Sequence, residues 1–105
     1  MSTPESPYTP QDRQRWRQAL LSKGQEVAKK LEDVLAGKDV KLSEIELRQV
    51  DKVKEPREKQ LRRFLDLLMS RLRKVDDPRF GFDPEQNAFV PTVALDEVPW
   101  LELDP

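Results

Sequence analysis

The chain has 105 residues, 37% charged and 36% hydrophobic, with 19 Lys and Arg against 20 Asp and Glu for a net charge of −1. That length sets a ceiling of one domain with a limited core, and only three glycines in so charged a chain point to a surface-rich helical protein. It contains no His and no Cys, which removes the usual zinc and iron–sulfur ligands, disulfides, Cys nucleophiles and the commonest general base.

Carboxylate-only metal sites stay open in principle, but no spaced Asp/Glu loop of the EF-hand type is present. With Gly only at 24, 37 and 81 there is neither a P-loop nor a GxGxxG phosphate cradle. The composition therefore argues against an enzyme and against a bound cofactor. No apolar run approaches the roughly 20 residues that span a bilayer. The opening MSTPESPYTP lacks a basic stretch followed by an apolar one, so a secretory signal is not expected and a cytoplasmic protein is.

Residues 1–10 hold three prolines among Ser and Thr and read as a flexible leader. A basic helical body is expected over 11–75. Its first helix runs from Gln11 to Ala36, with Trp16, Leu20, Val27, Leu31 and Val34/Leu35 at three- and four-residue spacing. Gly24 interrupts that stripe. It either ends a short helix or lets another helix approach, and a continuous, slightly kinked helix is the favoured reading. Gly37 stands where a C′ glycine stops a helix. Ser43-Glu44-Ile45-Glu46 is a capping box, with Leu42 and Leu47 placed for a hydrophobic staple.

Pro56 breaks the second helix and starts a third, to about Lys74. Leu61, Phe64, Leu65, Leu68, Leu72 and Val75 form its apolar stripe, widened by Leu67 and Met69. Asp76-Asp77-Pro78 ends it, and residues 76–105 are expected to form an acidic, apolar, extended tail punctuated by prolines. The fold expected is all-α: a helical hairpin or small three-helix bundle with that tail.

The charges divide at the same border. Residues 1–74 carry 18 Lys/Arg and 12 Asp/Glu, whereas 75–105 carry Arg79 and 8 Asp/Glu. A nearly neutral chain is thus a basic body joined to an acidic tail. Phe80, Phe82, Phe89 and Trp100 have no use in a tail that is merely solvated, because water penalises exposed apolar area by roughly 25 cal/mol per Å². The expectation is that Phe80–Phe89 packs on the body and Pro91–Pro105 meets a partner protein, through Val93, Leu95, Val98, Trp100, Leu101 and Leu103. The alternating Leu101-Glu-Leu-Asp suits addition to a sheet edge.

The function that follows is a non-enzymatic interaction or regulatory protein, its body a scaffold or dimeriser and its tail the recognition element. A homodimer through the Leu61–Val75 helix is compatible with so small a core. The rival is a nucleic-acid-binding regulator, antitoxin-like in layout, whose acidic tail competes for the basic faces. Its candidate phosphate contacts are Arg13, Arg15, Arg17, Arg62, Arg63, Arg71, Arg73 and Lys74. A solvated helix face accounts for the same residues more simply, and no membrane-surface role is expected.

Overall fold

A computed structural model describes residues 5–103. Helix dominates it: α1 spans Pro10–Leu35, α2 Glu44–Val50, α3 Arg57–Lys74 and α4 Thr92–Glu97, with a small hairpin of β1 (Phe82–Asp83) and β2 (Ala88–Phe89) between α3 and α4.

The first helix starts at a second capping box. Thr9 Oγ1 accepts from the Asp12 N–H at 3.0 Å, and the Asp12 carboxylate accepts from the Thr9 N–H at 2.9 Å. Pro10 follows as a first helical residue whose missing N–H is not needed there. The helix runs unbroken through Gly24. It ends in a Schellman motif: the Gly37 N–H reaches the Val34 carbonyl at 3.0 Å and the Lys38 N–H the Asp33 carbonyl at 2.9 Å, with Gly37 at φ +76°. Part of the expected leader is structured too. Residues 1–4 lie outside the described residues, but Tyr8 is buried, and its hydroxyl donates to the Val90 carbonyl at 2.7 Å.

The second helix is the one its capping box predicts, with Ser43 and Glu46 bonded in both directions. Glu46 also does what no local pattern reveals. Its carboxylate is wholly buried, with Lys30 Nζ on Oε1 at 2.6 Å and Lys23 Nζ on Oε2 at 3.3 Å. Burial alone would push this carboxyl up. The Lys30 ammonium, the Ser43 N–H and Lys23 reverse that and hold it down at about 2. One side chain therefore caps α2 and fastens it to α1.

The first and third helices pack antiparallel, since the start of α1 meets the end of α3: Arg13 donates to the Val75 carbonyl at 2.6 Å and the Asp77 carbonyl at 2.9 Å. Their stripes build two apolar clusters. One holds Leu20, Val27, Val50, Leu61, Phe64 and Leu68. The other, at the far end, holds Tyr8, Trp16, Val75, Phe80 and Leu95.

The extended tail is the expectation that needs correcting. Residues 92–97 form α4, and Leu95 and Trp100 are 1% and 4% exposed inside the two clusters. Proline sets both limits of this helix. Pro91 caps it at φ −62°, ψ 150°, and Val98, forced out of the helical region by Pro99, ends it at φ −135°, ψ 83°. Before it, Gly81 sits at φ +81°, where an added Cβ would lie 2.7 Å from Tyr8 Cε2.

Nothing outside its own helix lies within 4 Å of a Cβ built at Gly24, so Gly24→Ala should stabilise the chain by about 1 kcal/mol in urea denaturation; destabilisation would show that this surface needs the glycine. The Glu46 carboxyl is held below its unfolded value of 4.5. Its contribution is therefore complete above that pH and is lost as the pH falls towards 2. Wild-type stability should lose about 2–3 kcal/mol from this group over that window. Glu46→Gln should be less stable at pH 7 and show a correspondingly flatter acid limb.

Candidate functional site

Two short pieces of the C-terminal segment meet the helical body in different ways. The α4 piece is fixed by Leu95 beneath and Asp96 beside it. Asp96 Oδ1 accepts from Arg15 Nε and from the buried Trp16 indole Nε1, each at 2.8 Å. The Arg15 and Trp16 hydrogen bonds hold its carboxyl below the usual range. Arg15 itself lies 5.6 Å from the Trp16 ring centroid and pairs with Asp12 at 3.0 Å. An exposed carboxylate thereby gives a buried N–H the acceptor it requires.

The second piece, residues 98–103, lies as a strap across α2 and α3. Trp100 packs edge-on against Phe64, with ring centroids 5.2 Å apart at 61°. Val98 packs on the Phe64 cluster and Leu101 on the Trp16 cluster, so the strap stitches the two cores together. Glu102 pairs with Lys52 at 3.3 Å, both side chains about half exposed. Open hollows flank the strap. One of about 340 Å³ lies between α2 and α3, lined by Val50, Lys52, Val53 and Phe64, and one of about 180 Å³ lies on the α2 side, lined by Ile45, Arg48 and Gln49; Glu102 borders both.

The six residues expected to meet a partner therefore divide. Leu95 and Trp100 are buried in the chain's own core, Val98, Leu101 and Leu103 are half-buried, and Val93 stands 67% exposed on α4. The expected dimer stripe is similarly engaged: Leu61, Phe64, Leu68 and Val75 are buried within the chain, while Met69 remains exposed.

The candidate phosphate contacts are largely spoken for. Arg13 binds the Val75 and Asp77 carbonyls just past the end of α3, where a cation is favoured by the helix dipole. Arg15 pairs with Asp96 and Arg17 with Asp76. Arg62 pairs with Glu58 at 3.2 Å, and Arg63 grips Glu55 with two nitrogens at 2.6 and 2.7 Å. Arg71 and Lys74 line a hollow of about 410 Å³ with Arg79, Phe82 and Leu103, and Arg73 is exposed at the end of α3.

Sequence reasoning singles out Trp100 and the arginines but misses Asp96 and Tyr8. Their partners lie some 80 residues away, and no local spacing signals them. Among the described residues, no cluster of three or more Asp and Glu is arranged to hold a metal ion, and no helix is long and apolar enough to cross a membrane. Comparison with protein-family models, curated proteins and solved structures finds no match.

The Asp96 contacts predict a local effect. Asp96→Ala orphans the Trp16 N–H, so it should lower the denaturation midpoint and speed proteolysis within residues 92–103. Glu85→Ala, in the exposed hairpin loop, should change neither. Equal cleavage rates in the two variants would remove Asp96 as the fastening of α4.

Proposed function

We propose that this chain is a non-enzymatic interaction protein, with the α1–α3 hairpin as its scaffold and the acidic C-terminal segment as the part that governs recognition. The observation that carries this reading is the manner of docking. Asp76, Asp96 and Glu102 meet Arg17, Arg15 and Lys52 through pairs whose side chains are mostly one-third to two-thirds exposed. Exposed pairs of this kind contribute little to stability, because solvent screens them. They orient the segment, while Leu95 and Trp100 supply the hold. Charge that aligns and a few apolar anchors that bind are also the means by which an acidic segment recognises another protein.

The outward side of the docked segment carries Val93 and Glu97. A double variant, Val93→Lys and Glu97→Lys, alters that side and leaves Leu95, Trp100 and the Glu102–Lys52 pair in place. Affinity capture with the full chain should enrich proteins that the variant fails to retain. Identical sets of captured proteins would refute recognition by this segment.

A further inference from the structure

We propose that the side of the α1–α3 hairpin turned away from α2 and α4 is a homodimer interface, on which a second copy of this chain packs with its α3 antiparallel. This surface is separate from the C-terminal segment and from the recognition proposed for it. The elements that cover the hairpin all lie on its opposite side. Lys23 and Lys30 of α1 meet α2 through Glu46, Arg15 and Trp16 meet α4 through Asp96, and Trp100 rests on Phe64 of α3. At 3.6 residues per turn, Leu21, Ala28 and Leu35 of α1 and Leu65, Met69 and Leu72 of α3 fall on the uncovered side. Five large apolar side chains stand exposed among the described residues, and three of them, Leu21 at 40%, Leu35 at 55% and Met69 at 45%, are here. Leu65 and Leu72 are half-buried beside Met69. Apolar area gathered on one side in this way marks an interaction surface.

A twofold interface sets a surface against itself, so the surface must be self-complementary. Two features give this one that property. The first half of α1 runs beside the second half of α3, and there its exposed flank carries Gln14, Gln18 and Gln25. These amides both donate and accept, and bring no charge to repel a copy; Arg17 nearby already pairs with Asp76. On α3, Asp66 and Arg73 lie seven residues apart on one flank of the Leu65–Met69–Leu72 strip. Both are exposed, and among the described residues neither makes a hydrogen bond or ion pair. The other charges of that strip, Glu58 and Arg62, pair with each other. A twofold axis near Met69 runs one α3 back along the other and keeps each flank on its own side. Asp66 of each copy then stands beside Arg73 of the other, as flanking charges do across an antiparallel helix pair. The 18 residues of α3 span about 27 Å, and two helices side by side are about 20 Å wide, giving roughly 550 Å² per copy. That is below the roughly 800 Å² of a standard interface, so the dimer is a weak one, with a Kd of about 1–100 μM.

Sedimentation velocity on the full chain, at up to about 500 μM, tests this above the expected Kd. With rising concentration the wild type should pass from the mass of one chain, 12.3 kDa, to that of two. Met69→Lys should weaken association at least about tenfold. Asp66→Arg and Arg73→Asp should each weaken it about threefold, because each sets like charges together across the axis. The double variant Asp66→Arg with Arg73→Asp rebuilds both pairs in reverse and should return to the wild-type affinity. All three positions are exposed, so helical circular dichroism should not change. Val93→Lys, exposed on α4, should associate as the wild type does. A wild type that stays a single chain at the highest concentration would overturn the proposal. So would association untouched by Met69→Lys, or a double charge exchange no tighter than the single ones. None of these outcomes bears on the capture experiment, which probes the C-terminal segment.

Discussion

The indole of Trp100 rests on the ring of Phe64, and this contact brings the last stretch of the chain into the middle of its longest-range core. Two helices side by side bury only part of their apolar stripes, and α2 covers one end alone. Leu95 and Trp100 cover part of what remains, with Tyr8 and Phe80. A buried tryptophan removes about 150–250 Å² from water, worth some 4–6 kcal/mol at 25 cal/mol per Å². Domains of this size are stable by about 5–15 kcal/mol in total. The C-terminal segment is therefore part of the fold and cannot be treated as an appendage to it.

The charge asymmetry acquires a meaning from this docking. Basic residues of α1 and the α2–α3 connection face acidic residues of the C-terminal region at Arg15–Asp96, Arg17–Asp76 and Lys52–Glu102. These pairs are too exposed to hold the segment by themselves. The buried Glu46, with Lys23 and Lys30 around it, is the contrasting case: it is desolvated, locally hydrogen-bonded, and costly to break from either side. One kind of pair sets orientation and the other sets α2 in place.

Features governed by neighbours along the chain are legible in the amino-acid sequence alone. The Ser43–Glu46 capping box, the stop at Gly37, the restart at Pro56 and the α3 stripe all rest on contacts within a few residues, and each is present in the fold. Where expectation and fold differ, the deciding contact is distant. Thr9 caps α1 with an aspartate at the third position, outside the usual Glu/Gln pattern, and Tyr8 is ordered by carbonyls from the hairpin. The prolines of the C-terminal region suggest extension throughout, yet Pro91 and Pro99 are spaced to leave room for the short helix between them. The size and apolarity of Leu95 and Trp100 demand burial, but composition does not say which surface buries them. The carboxylate of Asp96 looks like any other until Trp16 is placed beside it.

Everything proposed for the C-terminal segment depends on residues 98–103 lying on α3 in the full-length chain. Nuclear Overhauser spectroscopy on the unmodified protein tests this directly. Docking predicts cross-peaks between the Trp100 indole protons and the Phe64 ring, whose centroids are 5.2 Å apart, together with ring-current shifts at Val98. Random-coil shifts for Trp100 and Val98, with no cross-peak to Phe64, would contradict it.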